Sequence, residues 1–226
     1  MIGKHGKSID WNTIAIILTL YAAVALFQTD TTDAREARSL AGTWRFRADF
    51  DNEGLTERCF EQVPSQKIDL PGSMRENGYG NEVTVETAWT GQIVDQSWFT
   101  AEKYEPYRQP GNIKVPFWLT PVKHYVGPAW YQKEIHIPGK WNAKRIVLFL
   151  ERCHWETQVW VDGQSVGSNN GLSVPHEYDL GVLGKGRHTL TICVDNTVKV
   201  GVGVNAHSVS DHTQTNWNGI IGDIEL

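Results

Sequence analysis

An antiparallel β-sandwich is the fold this sequence predicts, and three observations predict it. From Gly42 onward, short β-rich runs alternate with turn residues. No amphipathic helical stretch of any length lies between them, and strands this frequent without helices imply antiparallel pairing. Aromatic residues are dense, with 10 Trp, 7 Tyr and 7 Phe among 226 residues. That density suits a β-rich core, and it also suits a surface that stacks on the flat apolar faces of sugar rings.

Trp44-Arg45-Phe46-Arg47 alternates apolar with basic residues, as a half-buried strand does. Asp69-Leu70-Pro71-Gly72-Ser73 reads as a turn after a short strand. The stretch 72–128 is less regular, rich in Gly, Pro, Trp and Tyr, and reads as long loops over the sandwich. Residues 129–138 form a strand closed by Pro138. Arg145 to Leu150 is nearly continuous apolar, which predicts a strand buried on both faces. Gln158-Val159-Trp160-Val161 and Gln164-Ser165-Val166 flank Asp162-Gly163, a pair that fits the left-handed positions of a type I′ hairpin turn. Lys185-Gly186 turns into residues 188–194, where Leu190, Ile192 and Val194 share a face. No internal repeat is present.

Ahead of the fold, residues 13–27 form an uncharged apolar run of 15, preceded by Lys4 and Lys7. Ala23-Val24-Ala25 supplies the small-x-small pattern of a cleavage site. This is the pattern of a secretory signal peptide over residues 1–25. The run is short for a membrane span, which needs about 20 residues; an uncleaved signal that anchors the chain in the membrane is the alternative. Residues 26–40 are polar at 28–39 and read as a linker, so that one domain covers residues 41–226. The expected location is exported, periplasmic or extracellular.

The net charge of −5 comes with no basic stripe to neutralise a phosphate backbone, which argues against a nucleic-acid partner. Cys59, Cys153 and Cys193 are an odd, widely spaced set without a C-x-x-C motif, hence neither a disulfide framework nor a metal motif. Cys153 with Cys193 is the one pair left open.

Catalytic chemistry is hard to find in this sequence. A glycosidase needs two facing carboxylates about 5–9 Å apart. Glu151 and Glu156 are the nearest candidates, but their odd separation sets them on opposite faces of a regular strand. No Gly-x-Ser-x-Gly elbow is present, and the Gly-rich stretches 163–171 and 181–186 lack the Lys-Ser/Thr ending of a phosphate loop. His207, Asp211 and His212 match no common metal-ligand spacing and read as a loop. We therefore expect no catalytic residue, no metal and no cofactor. The polar cluster 211–218 differs in kind. Thr213, Gln214, Asn216 and Asn218 offer donors and acceptors of the sort sugar hydroxyls require, and Trp217 supplies a ring for a pyranose. These five are the candidate substrate-binding residues; a hydrogen-bonded structural loop is the competing reading.

Taken in order, several short motifs resemble the N-terminal sugar-binding domain of glycoside hydrolase family 2, the family of β-galactosidases, β-glucuronidases and β-mannosidases. They are Leu40-Ala41-Gly42-Thr43-Trp44-Arg45-Phe46 with Asp49, Leu70-Pro71-Gly72-Ser73, Trp130-Tyr131, and Val159-Trp160-Val161-Asp162-Gly163. Cys193-Val194-Asp195-Asn196 and Asn218-Gly219-Ile220-Ile221-Gly222-Asp223-Ile224 complete the series. Residues 116–121 and 215–219 look like those of a less studied branch of secreted bacterial members. The resemblance implies a jelly-roll sandwich of the galactose-binding-domain type. It also implies partner domains, an immunoglobulin-like sandwich and a TIM barrel that carries two catalytic glutamates of a retaining mechanism. On this reading the chain is a non-catalytic fragment of an exported β-glycosidase that degrades carbohydrate. A stand-alone carbohydrate-binding module is the alternative. In the galactosidase and glucuronidase branches an Asp six residues before the Gly of the Gly-Ile motif reaches the sugar. The matching position here is Thr213, so the resemblance assigns no sugar preference.

Overall fold

Trp44 and Phe46 are buried while Arg45 between them is exposed, and this two-residue alternation is repeated on strand after strand. The structure is a computed structural model and describes residues 36–203, 205–212 and 216–226. The expected signal peptide over 1–25, Thr213 and Gln214 lie outside the described residues.

Twelve strands are present among the described residues. In chain order they are β1 (Gly42–Ala48), β2 (Gln66–Leu70), β3 (Gly72–Ser73), β4 (Asn81–Glu82), β5 (Lys123–His124) and β6 (Pro128–Ile137). They continue with β7 (Ile146–His154), β8 (Glu156–Val161), β9 (Gln164–Asn169), β10 (His176–Gly181), β11 (Gly186–Asp195) and β12 (Gly219–Glu225). One sheet runs β2-β1-β6-β11-β8-β9, a second runs β10-β7-β12-β3, and β4 pairs with β5. Every pairing is antiparallel. The all-β sandwich expected from the sequence is the observed fold.

The inward positions of the two larger sheets interlock. Phe46, Tyr131, Leu148, Leu150, Ile192, Val194 and Ile220 belong to one buried cluster. Each such side chain contributes about 1.5–3 kcal/mol by leaving water. Asp162 (φ 50) and Gly163 (φ 77) occupy the two left-handed positions of the β8–β9 turn, as the Asp-Gly pair predicts. Leu40 is buried, Trp44 Nε1 donates to its carbonyl at 3.0 Å, and Ser39 bridges Glu225. Residues 39–40, read above as the end of a linker, thus already belong to the sandwich.

Three expectations change. On β7, Ile146, Leu148 and Leu150 are buried, but Val147 and Phe149 are half-exposed, so only one face is covered. Glu151 and Glu156 are not on one strand: the chain leaves the four-stranded sheet after His154 and enters the six-stranded sheet at Glu156. Trp155 fills the corner, buried, with Nε1 donating to the Asn170 carbonyl at 2.8 Å. All three cysteines are free. Cys153 faces the core between the sheets, whereas Cys193 packs with Cys59, Trp130 and Trp160 on the other face of the six-stranded sheet. A bond between Cys153 and Cys193 would have to pass through a strand.

The excursion between β3 and β6 has its own small core of Ile93, Trp98, Val115 and Trp118. It is held by 3₁₀ turns at Gln96–Phe99 and Glu102–Arg108, and it carries one side of the site.

Candidate functional site

Residues 196–218 connect β11 to β12, and Asp211, His212 and Asn216 among them bond or pack against the excursion. The base of this connection is sewn down by asparagines. Asn196 donates to the Tyr125 carbonyl and to Asn216 Oδ1, both at 2.8 Å, and its own Oδ1 accepts the Gly127 N–H at 2.8 Å. Asn216 donates to Thr90 Oγ1 at 2.9 Å and to the Asn196 carbonyl at 3.0 Å. Asn218 accepts the Tyr131 hydroxyl at 2.7 Å and donates to the Gly127 and Val194 carbonyls at 2.9 Å. An amide side chain offers two donors and an acceptor group, so all three residues are fully engaged. Gly219 follows at φ 149, where a Cβ would stand 2.4 Å from the Gly72 carbonyl oxygen. Only glycine lets β12 approach β3 there, which explains the Asn-Gly-Ile motif.

A buried carboxylate ties the loop to the excursion. Asp211 accepts the Thr90 N–H at 2.7 Å, the Gly91 N–H at 3.2 Å and the Asn216 N–H at 3.2 Å. Around it runs a chain of rings, each edge-on to the next: His124 and Trp89 at 5.0 Å, Trp89 and Trp118 at 5.5 Å, Trp118 and His212 at 4.9 Å. His212 Nε2 meets the Gln92 carbonyl. His124 Nε2 lies 4.0 Å from Asp211 Oδ1. Burial lowers the His124 pKa, and the Asp211 charge offsets part of that.

Of the five candidate residues, Asn216 and Asn218 are buried and bonded inside the fold, so they shape the loop rather than meet a ligand. Trp217, between them, is half-buried. Of these three side chains, only the indole keeps part of its surface exposed. Its ring lies 5.2 Å from that of His154, tilted by 48°. His154 is 2% exposed, both its ring nitrogens lack a hydrogen-bond partner, and burial pushes its pKa down to about 4. Trp217 also borders a depression with Met74, Arg75, Tyr79, Lys123 and Tyr125, of about 10 Å³. That is the room of a single water, so a sugar would meet the indole at the surface.

Glu151 and Glu156 do not converge. Glu151 Oε2 accepts the Asp223 N–H at 2.7 Å, and Glu156 Oε1 lies 3.5 Å from Lys199 Nζ. Sequence reasoning passed over Asp211 as an anchor and Arg75 as a neighbour of Trp217. The first has no motif, and the second is 142 residues away in the chain. The density of Trp and Pro over 85–121 was the available signal for a separately packed excursion.

A family model described as "Glycosyl hydrolases family 2, sugar binding domain" matches residues 37–226. The beta-glucuronidase of Paenibacillus borealis is 28% identical over 176 residues, covering 76% of this chain and 23% of that protein. Human beta-glucuronidase is 24% identical over 213 residues, covering 86% of this chain and 27% of that protein. This chain thus spans about a quarter of the length of these relatives. Among solved structures, an uncultured Clostridium sp. beta-glucuronidase superposes with a TM-score of 0.54 at 18% identity, covering 84% of this chain and 28% of that chain. The apo beta-glucuronidase of Ruminococcus gnavus gives a TM-score of 0.54 at 16% identity, with 84% and 28% covered. Both share the fold.

Proposed function

We propose that this chain, which belongs to glycosyl hydrolase family 2 through its sugar binding domain, holds carbohydrate at the Trp217 loop for an exported β-glycosidase that degrades glycans. The observation that carries this reading is the setting of Trp217. Its indole keeps part of its surface exposed, next to Asn216 and Asn218, which are locked into the core. A rigid aromatic face is what stacking on a pyranose requires, since little freedom is lost on binding. Thr213 and Gln214, on the same loop, supply the hydroxyl and amide groups of this proposal.

The chain takes no part in bond cleavage on this reading. Splitting a glycoside needs an acid and a nucleophile on opposite sides of one anomeric carbon. The engagement of Glu151 with the Asp223 N–H and of Glu156 with Lys199 supports leaving that role to residues outside 37–226. The beta-glucuronidases similar to this chain support a β-glycoside as the substrate class. Lys4, Lys7, the apolar run 13–27 and Ala23-Val24-Ala25 support export. N-terminal sequencing of the protein recovered outside the cytoplasm tests export, with a start near Leu26 expected. An intact Met1 on cytoplasmic protein would refute it.

A further inference from the structure

Asn-Gly pairs occur three times in this chain, at 77–78, 170–171 and 218–219. The pair has its own chemistry. Glycine carries no Cβ, so its backbone nitrogen can approach the side-chain amide carbon of the asparagine before it. We propose that Asn170 is a site of spontaneous deamidation, converting to aspartate and isoaspartate through a cyclic imide formed with the Gly171 nitrogen.

The fold protects the other two pairs. Asn218 is buried, its Oδ1 accepts the Tyr131 hydroxyl, and its amide nitrogen donates to the Gly127 and Val194 carbonyls. Asn77 is bonded along β2. Its Oδ1 accepts the Asp69 N–H at 3.0 Å, and its amide nitrogen donates to the Ser73 carbonyl at 3.0 Å and the Asp69 carbonyl at 3.2 Å. The Gly78 N–H, which would supply the nucleophile, donates to the Arg75 carbonyl at 3.1 Å. Asn170 differs. It is exposed, and its side-chain amide has no hydrogen bond among the described residues. One bond restrains the reaction there: the Gly171 N–H donates to Asn169 Oδ1 at 2.9 Å and must leave it before the nitrogen can lose its proton.

The conversion consumes water and releases ammonia. Hydroxide takes the Gly171 amide proton, and the nitrogen attacks Cγ of Asn170. The Cγ–Nδ2 bond breaks, and the departing nitrogen takes a proton from water, which restores the hydroxide. A second water then opens the imide at either carbonyl. Cleavage of the new Cγ–N bond leaves aspartate in an unchanged main chain. Cleavage of the original C–N bond leaves isoaspartate, with one extra methylene in the main chain and a free α-carboxylate. That methylene enters a tight loop. The Asn170 carbonyl accepts Trp155 Nε1 at 2.8 Å, and the Gly171 carbonyl lies 2.8 Å from His176 Nε2. A Cβ on Gly171 would stand 2.7 Å from Val174 Cγ2. Isoaspartate therefore loosens the hold on Trp155 at the corner between the sheets, whereas aspartate keeps it.

The test is peptide mapping by mass spectrometry of the full chain, aged in mildly alkaline buffer made with heavy-oxygen water. Each conversion takes up one oxygen from that water. In the folded chain Asn170 should convert at least about tenfold faster than Asn77 or Asn218, whose hydrogen bonds must break first. In denaturant the three rates should converge. Gly171→Ala should slow conversion at Asn170 about tenfold in the folded and the denatured chain alike, because the added Cβ hinders the nitrogen itself. Isoaspartate should shift the Trp155 indole N–H signal in NMR, and Asn170→Asp should not. Conversion at Asn77 or Asn218 as fast as at Asn170 overturns the inference. So does an Asn170 that stays intact while the denatured chain converts, or a rate indifferent to Gly171→Ala. A Trp155 signal unmoved by isoaspartate overturns the link to the corner.

Discussion

The Asp211 carboxylate accepts the Thr90 N–H at 2.7 Å, joining two loops separated by 121 residues of sequence. Asp211 is 1% exposed and also holds the Gly91 and Asn216 N–H groups, so one side chain fixes where the excursion meets the 205–218 loop. Asp211→Ala should leave three backbone donors, two of them buried, without an acceptor and cost about 3 kcal/mol. The excursion should loosen before the sandwich does. Limited proteolysis should then cut first within 85–120, and simultaneous loss of all fragments would argue against this anchor.

Asn218→Ala should destabilise the whole sandwich by about 2–4 kcal/mol, because the Tyr131 hydroxyl and two buried carbonyls lose their partner. Trp217→Ala, one residue away, removes a half-buried ring and should cost far less. Denaturant unfolding of the two variants side by side checks the contrast. Equal losses would mean that Trp217 is core and not a ligand face.

Acid should weaken the fold through His154. Its pKa in the folded chain, about 4, lies below the ordinary 6.5, so the unfolded chain takes up the proton first as pH falls. Stability is therefore full above about pH 6.5 and is lost on acidification through the window down to about 4, approaching about 3 kcal/mol. Burial lowers the pKa of His124 and His176 too, with the same sign. His188, raised by its hydrogen bond to Asp162, acts oppositely and gives up stability as pH rises. His154→Phe, which removes two unpartnered nitrogens between aromatic neighbours, should flatten the stability curve between pH 4 and 6.5. An unchanged slope in that variant would assign the acid sensitivity elsewhere.

The alternation of Trp44 and Phe46, the Asp162-Gly163 turn and the Leu190-Ile192-Val194 face were legible because each depends on neighbours two or three residues away. The apolar run ending at Leu150 misled, because apolar content alone does not reveal that the second face of β7 is left partly open. Glu151 and Glu156 were misplaced for a similar reason. The corner at Trp155 hands the chain from one sheet to the other with no Gly or Pro to mark it. The loop 211–218 stood out by composition, yet composition could not separate the buried Asn216 and Asn218 from the partly exposed Trp217. That division is set by Asn196, Tyr131 and Thr90, which are distant in the chain.

The chain alone should hydrolyse no glycoside. Purified protein incubated with aryl β-glucuronide, β-galactoside and β-mannoside should release no chromophore. Turnover that survives repurification and disappears with Glu151→Gln or Glu156→Gln would make the sandwich itself the enzyme.

The central claim is that Trp217 is a sugar-contacting face, and an NMR titration of the folded chain with methyl β-glycosides, read at the indole N–H signals, tests it most directly. One exposed wall leaves most of a ligand wet, so the expected affinity is millimolar, about 4 kcal/mol. The Trp217 indole signal should move with saturating dependence, and Trp217→Ala should abolish binding while the melting temperature barely changes. A Trp217 signal that stays fixed while sugar binds elsewhere, or no binding by a folded chain at any accessible concentration, would contradict it.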